Sequence, residues 1–206
     1  MSKQRDNIIQ FLPKQPAKYG FERVKKRARK GANAQPDLFS PGAEILRLPS
    51  KLTPFEEALL FDERNDGRTE GAYRRAIREG DCVDGAYCNL GILLSKAGQS
   101  AKAFDCFTKA LQHNPRHFQS QFNLGNFYFE QDNLRLARMH YELAIELQPD
   151  CASVYFNLAL VAALSNDLAA AIEALQRYKA LSSVPEGDTV DDLLEKLQRA
   201  LRLETS

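Results

Sequence analysis

Three asparagine side chains recur at a fixed interval in this sequence, because Asn89, Asn123 and Asn157 are equally spaced. A side-chain amide carries both a hydrogen-bond donor and an acceptor, so it can pair with a peptide bond whatever side chain the ligand carries. A row of such amides would bind the backbone of an extended polypeptide. The alternative role is internal, because an asparagine inside a packed helix also needs hydrogen-bond partners and can find them within its own protein.

Apolar side chains near these asparagines extend the candidate binding surface, since residues three and four apart share one face of a helix. The predicted peptide groove consists of Asn89, Asn123, Asn157, Ile92, Phe122, Asn126, Phe129, Phe156 and Leu160. This composition favours an extended, partly apolar protein segment as the ligand. Exposed phenylalanines could equally contact a second copy of the chain, so self-association is a further alternative.

The interval between the asparagines recurs in other columns of the sequence. They are Ala103, Ala137 and Ala171, then Phe107, Tyr141 and Leu175, and finally Pro115 and Pro149. Small residues let two helices approach closely, while large residues one turn away fill the space beside the contact. A proline just beyond a helix end stops that helix. The pattern therefore predicts consecutive pairs of antiparallel helices.

These residues make the sequence similar to the tetratricopeptide repeat family, whose helix-turn-helix repeat has the same period. Its aromatic, Leu-Gly, aromatic, Ala, Phe, Ala, Pro pattern reads in the first full copy as Tyr87, Leu90-Gly91, Leu94, Ala103, Phe107, Ala110 and Pro115. The next copy has Gln121 in place of the first aromatic, and the third has Ala159 for Gly and Ser183 for Pro. The resemblance implies an all-α, right-handed α-solenoid whose concave face binds proteins, in some members through a ladder of asparagines.

We expect about eight helices, in about three and a half repeats closed by a C-terminal capping helix. Upstream of the full repeats, Pro54 to Glu63 reads as a short helix, with a turn at Asn65 to Gly67 before a second helix. The expected divisions are a largely disordered extension (1–50) and a solenoid (51–206) comprising a degenerate repeat (51–83), three repeats (84–117, 118–151, 152–185) and a cap (188–203).

Some tetratricopeptide proteins clamp the terminal carboxylate of a ligand with basic residues and an asparagine on successive first helices. In this sequence Cys88 and Ile92 occupy the entry positions of that clamp. Ser153 and Asn157 replace its later basic pair. We therefore expect an internal or apolar protein segment as the ligand, and not a C-terminal carboxylate.

The N-terminal extension is strongly basic. Residues 1–50 contain 11 Lys and Arg against 4 Asp and Glu, and six of these cations fall within eight residues: Arg23, Lys25, Lys26, Arg27, Arg29 and Lys30. Such a cluster can bind phosphates without sequence preference, or an acidic partner. The alternative function is thus a nucleic-acid-associated accessory protein whose repeats recruit a second component. A charge run can also be simply a solvated tail.

Two apolar islands, 37–39 and 45–48, stand between this cluster and the repeats. One hypothesis is that an island folds back into the predicted groove and competes with partners, because intramolecular attachment raises its effective concentration.

Nothing in the sequence forms a catalytic, metal or cofactor motif, so we expect a non-catalytic adaptor or scaffold without a cofactor. Pro115 separates His113 from His117, and His140 has no nucleophile in a motif with it. The four cysteines lack metal-ligand spacing, and neither a secretory signal nor a membrane span is evident. These observations favour a cytoplasmic location. With 44% hydrophobic and 27% charged residues, the composition excludes fibrous and wholly disordered chains.

Overall fold

The computed structural model describes residues 52–182 and 189–204, and these residues form nine helices and no strand. The helices are α1 (Pro54–Glu63), α2 (Thr69–Arg78), α3 (Val83–Lys96), α4 (Ser100–His113), α5 (Phe118–Glu130), α6 (Leu134–Leu147), α7 (Ala152–Leu164), α8 (Leu168–Leu181) and α9 (Thr189–Glu204). The prediction of an all-α fold is confirmed for this part of the chain. None of the described helices is long and apolar enough to cross a membrane.

The predictions for the N-terminal extension, including its basic cluster and its two apolar islands, lie outside the described residues. The described chain divides into two compact units. The first unit ends at Cys106 and the second begins at Phe107, so the boundary falls inside α4.

The first unit begins with a complete helix pair where the sequence indicated a degenerate repeat. Thr53 caps α1, because its hydroxyl accepts from the Glu56 amide at 3.3 Å and the Glu56 carboxylate accepts from the Thr53 amide at 3.2 Å. The left-handed backbone of Asn65, with φ of 50°, turns the chain toward α2. Phe55 and Tyr73 then pack with ring centroids 6.2 Å apart, so α1 and α2 share a buried core.

In the second unit, each of α5 to α8 contacts the next helix in sequence. The contact between α5 and α6 depends on a small residue against a large one. A Cβ atom at Gly125 would lie 2.4 Å from the ring of Tyr141, which is closer than any real side chain tolerates. In the next repeat Ala159 and Leu175 occupy these columns, and both are buried. The small and large residues of the sequence pattern are therefore a packing pair.

The second helices of two successive repeats share a cap that the sequence analysis did not identify. The side chains of Asn133 and Asp167, at equivalent positions of the two repeats, accept from the amides of Leu136 and Ala170 at 3.2 Å each. An oxygen at this position satisfies one of the backbone donors left free at a helix start. Arg138 donates to Asp167 at 2.8 Å, and this bond lowers the pKa of that carboxyl.

The last helix, α9, closes the apolar cluster that α7 and α8 begin. Val190, Leu193 and Leu197 are buried in this cluster, on one face of the helix. Lys179 of α8 also forms an ion pair with Asp191. The amphipathic pattern of the final helix thus matches the face that it buries.

Candidate functional site

The repeated asparagines occupy equivalent places in α3, α5 and α7, and all three are buried. Asn89, Asn123 and Asn157 are exposed by 1%, 0% and 2%, respectively. Buried amides are nearly always hydrogen-bonded, because an unpaired one loses its interactions with water and gains nothing in return. The partners of each asparagine therefore decide what it can do.

Asn157 belongs to a polar network in the second unit. Its Nδ2 donates to Oδ1 of Asn126 at 2.8 Å, and the hydroxyl of Tyr141 donates to the same oxygen at 2.7 Å. Burial raises the pKa of Tyr141 far above its ordinary value, so the hydroxyl stays neutral and remains a donor. Asn126 consequently has its acceptor oxygen filled from inside the protein.

The oxygen end of the Asn157 side chain, by contrast, is unpaired within the described residues. Its Oδ1 is fully buried and has no hydrogen-bond partner among the described residues. A buried acceptor without a donor costs roughly 1–3 kcal/mol, so proteins rarely retain one without a compensating role. The nine residues of the predicted groove are all described, and among them this oxygen is the buried side-chain acceptor that lacks a donor.

Glu130 lies one turn beyond Asn126 on α5, and its side chain reaches the surface. Partial burial raises the pKa of its carboxyl. The charge of Glu130 also adds to the raised pKa of Tyr141, to which burial contributes most. Asn126 thus connects the two groups, because it bonds Asn157 and lies one turn before Glu130 on α5.

The first unit contains a related network around Tyr73. The Tyr73 hydroxyl donates to Oδ2 of Asp62 at 3.0 Å, and Nδ2 of Asn89 donates to the Tyr73 oxygen at 3.2 Å. Asp62 is 6% exposed. The tyrosine precedes the asparagine by the same interval in both networks, whereas Phe107, which stands at that interval before Asn123, has no hydroxyl.

The remaining residues of the predicted groove are mostly buried. Ile92, Phe122, Asn126, Phe156 and Leu160 are each exposed by 5% or less. Phe122 packs with Tyr141, with centroids 5.9 Å apart, whereas half-buried Phe129 contacts both apolar clusters of the second unit. A peptide-binding role for all nine residues stays a prediction. Their burial means that a ligand must first displace side chains.

Sequence reasoning missed Asp62, Tyr73, Glu130 and Tyr141 as members of this polar system. A signal for the tyrosines was present, because each stands at the same distance before a repeated asparagine. The sequence pattern identified Tyr141 as a large packing residue, which it also is. Their hydroxyls could not be assigned partners until the neighbouring helices were in place.

The histidines of the second unit have structural partners. His117 caps α5 by accepting from the Ser120 amide at 3.2 Å. His140 stacks on Tyr128 with centroids 5.4 Å apart and lies 2.8 Å from Oε1 of Gln121, and burial lowers its pKa. Within the described residues, no group of three His, Cys, Asp or Glu side chains could hold a metal ion.

The profile of the tetratricopeptide repeat matches this chain twice, over residues 85–117 and 128–185. Among curated proteins, the chain is 28% identical over 130 residues to mouse tetratricopeptide repeat protein 8, covering 63% of this chain and 25% of that protein. It is 30% identical over 125 residues to human protein O-mannosyl-transferase TMTC1, covering 59% of this chain and 14% of that protein. The chain thus spans a quarter or less of these relatives.

Two solved structures have a similar fold. One is the first tetratricopeptide domain of Spaghetti (RPAP3) bound to the HSP90 peptide SRMEEVD, with a TM-score of 0.53, 22% identity, and coverage of 58% of this chain and 93% of that one. The other is the MamA RS-1 ArsTM double mutant, with a TM-score of 0.56, 20% identity, and coverage of 74% and 95%. These likenesses confirm the predicted fold class.

Proposed function

Because this chain belongs to the tetratricopeptide-repeat proteins, we propose that it is a non-catalytic adaptor whose repeats bind a segment of another protein. The observation that carries the proposal is the buried Oδ1 of Asn157, unpaired within the described residues, on a helix that the sequence pattern assigns to the ligand side of its repeat. A similar domain in the Spaghetti (RPAP3) structure holds a peptide, which supports the same use of the fold here.

The proposed binding mode uses Asn157 as a hydrogen-bond acceptor toward the ligand. Its donor end is held by Asn126 at 2.8 Å, and Tyr141 holds Asn126 in turn, so the amide has a fixed orientation. A pre-oriented acceptor loses little conformational entropy when a ligand donor arrives. Because Asn157 is 2% exposed, binding also requires local side-chain movement.

A test of the proposal selects ligands and then removes this amide. Random peptides displayed on phage are selected on the full-length chain after nuclease treatment, and the affinity of the selected peptides is measured for wild type, Asn157→Ala and Asn133→Ala. Asn133→Ala is the matched control, because it removes the same side chain from a helix cap outside the predicted groove. We expect Asn157→Ala to weaken binding about tenfold, the size of one good hydrogen bond.

Failure to select any peptide would contradict the adaptor proposal. Equal loss of affinity in both variants would contradict the role of Asn157, because it would show that general destabilisation is the cause. Thermal unfolding followed by circular dichroism separates these effects for each variant.

The second candidate function is attachment to nucleic acid or an acidic partner through Arg23, Lys25, Lys26, Arg27, Arg29 and Lys30, with the repeats recruiting another component. It is favoured by six positive charges within eight residues. Counter-ion release would make such binding fall by roughly 10³-fold or more between 50 and 200 mM salt, whereas an apolar contact would change little. Fluorescence anisotropy with a labelled single-stranded RNA at both salt concentrations, on the full chain, distinguishes the two.

A further inference from the structure

Two acceptors at the second unit's polar network lack a donor among the described residues. Among the described residues, the Oδ1 atom of Asn157 has no partner. Glu130 is an exposed carboxylate that forms none of the ion pairs described in this unit. Both groups adjoin one network, since Asn126 bonds Asn157 and lies one turn before Glu130 on α5. Two acceptors, one of them charged, define the chemistry of a group that would satisfy them: a positively charged N–H donor.

Comparison with the first unit shows how the place of the acidic residue differs between the two networks. Asp62, Tyr73 and Asn89 stand two repeat periods before Glu130, Tyr141 and Asn157. In the first unit the acidic residue accepts from the tyrosine hydroxyl.

In the second unit Asn126 takes that hydroxyl, at a position where the first unit has buried Ala58. Tyr141 donates to Asn126, and Glu130 is exposed. The acidic residue is an internal acceptor in one unit and, within the described residues, an unpaired surface acceptor in the other.

We propose that Glu130 and Asn157 bind the lysine or arginine side chain of a partner protein segment, with Glu130 pairing its charge and Asn157 accepting one of its N–H groups. This inference rests on the proposed adaptor function and specifies the ligand chemistry. Lysine and arginine fit because each carries its charge at the end of an apolar stem. The stem would lie against the apolar surroundings, where Phe156 is nearly buried and Phe129 half-buried.

The depth of the two acceptors also fits a long side chain. Glu130 is at the surface, while Asn157 is 2% exposed. A cation would meet the carboxylate first and then reach the amide oxygen as neighbouring side chains move aside. A ligand carboxylate would meet only acceptors of its own polarity here, so the site selects against an acidic segment.

The test uses four pools of synthetic decapeptides with identical randomised flanks and a fixed central residue: lysine, arginine, norleucine or glutamate. Their binding to the full-length chain is measured by competition fluorescence anisotropy. We expect the lysine and arginine pools to bind about tenfold more tightly than the norleucine pool, as a charge-assisted hydrogen bond predicts. Norleucine keeps the stem of lysine without its charge, so this ratio isolates the cation.

Two variants locate the effect. Glu130→Gln should reduce the preference for lysine over norleucine to about one, because only the charge is removed. Glu146→Gln is the matched control, since it removes the same charge from an exposed position on α6. It should leave the preference unchanged. Both positions are on the surface, so neither variant is expected to unfold the chain.

Three results would overturn the inference. Equal binding of the lysine and norleucine pools would show that no cation site exists, while the adaptor proposal would stand. Absence of binding by every pool would contradict both. Lysine-selective binding that appears only after the six tail cations, Arg23, Lys25, Lys26, Arg27, Arg29 and Lys30, are changed to serine would show that the chain's own extension is the occupant, and not a partner.

Discussion

The two units each bury a tyrosine hydroxyl beside a repeated asparagine, but they satisfy that hydroxyl differently. In the first unit Tyr73 donates to Asp62, and Asn89 donates to the Tyr73 oxygen. These bonds run in one chain from the amide through the hydroxyl to the carboxylate. The acidic residue of this repeat, Asp62, is thus an internal hydrogen-bond acceptor.

In the second unit the tyrosine and the asparagine converge on one oxygen. Tyr141 and Asn157 both donate to Oδ1 of Asn126, at 2.7 and 2.8 Å. The acidic residue of this repeat, Glu130, is left at the surface.

Two positions differ between the repeats, with Ala58 and Asp62 in the first network against Asn126 and Glu130 in the second. An alanine at position 58 offers no hydrogen-bonding group, so the acid one turn later reaches the hydroxyl. In the second unit, the Asn126 oxygen accepts from the Tyr141 hydroxyl instead. The tyrosine column is the same in both repeats, whereas its hydrogen-bond partner differs with the side chains at the neighbouring positions.

The largest expected effect concerns the packing around Tyr141. Gly125→Ala should destabilise the chain by about 3 kcal/mol, because its Cβ would overlap the ring of a fully buried tyrosine. Urea unfolding of the full chain followed by circular dichroism measures the change.

Gly71→Ala provides the control in the first unit. That glycine is exposed within α2, and a Cβ there would meet nothing within 4 Å. Alanine should stabilise such a helical site by up to about 1 kcal/mol. Similar effects of the two substitutions would show that Gly125 and Tyr141 are not a packing pair.

The role of the column at position 126 can be tested by converting the second network into the first. Asn126→Ala should cost about 2 kcal/mol, because it deprives the buried Tyr141 hydroxyl and Asn157 amide of their common acceptor. Adding Glu130→Asp recreates the combination of alanine and aspartate found at positions 58 and 62. The double variant should then regain about half of the lost free energy of unfolding, as measured by urea unfolding.

The double variant Asn126→Ala/Glu130→Gln is the control for this rescue. Glutamine has the length of the native residue but lacks the carboxylate and the shorter reach of aspartate. Equal recovery in both double variants would mean that the identity of the acid is irrelevant. The comparison between the units would then lose its explanation.

The sequence was sufficient for the helices and insufficient for these networks. Both ends of α1 could be predicted, since Pro54 and the turn at Asn65 are local signals that act within a few residues. The hydroxyl of Tyr141 gave no such signal, because its partner lies on another helix. Asn126 was assigned to the ligand surface, whereas its oxygen accepts two internal bonds. Local chemistry thus predicts elements, while the orientation of a buried amide depends on the assembled neighbours.

The two tyrosine hydroxyls should contribute unequally to stability. Tyr73→Phe removes one bond to a carboxylate and one from an amide, and should cost about 1.5 kcal/mol. Tyr141→Phe removes one bond to an amide oxygen that keeps a second donor, and should cost about 1 kcal/mol. Urea unfolding of the two variants in parallel measures the order. The reverse order would show that the bond from Tyr141 is the more strongly coupled of the two.

The smallest expected effect tests whether the ionised carboxylate of Glu130 lowers the free energy of unfolding. Partial burial raises the pKa of Glu130, so the folded chain keeps this proton to higher pH than the unfolded chain, whose glutamate titrates at about pH 4.3. Stability must therefore fall as pH rises through this window, and the loss persists at neutral pH. Glu130→Gln should then be more stable than wild type at about pH 7, by about 0.5 kcal/mol or less because solvent screens this surface group, and equal to it near about pH 3.5.

Urea unfolding at the two pH values measures this difference, with Glu146→Gln as the reference for losing an exposed charge. A gain confined to Glu130→Gln at neutral pH would show that the chain retains an unfavourable carboxylate at this place. Such a residue is expected where a ligand supplies the missing partner, because binding offsets the cost that folding alone leaves. Loss of stability in Glu130→Gln at neutral pH would mean that Glu130 already has a partner within the chain. The acidic residues of both units would then be paired internally.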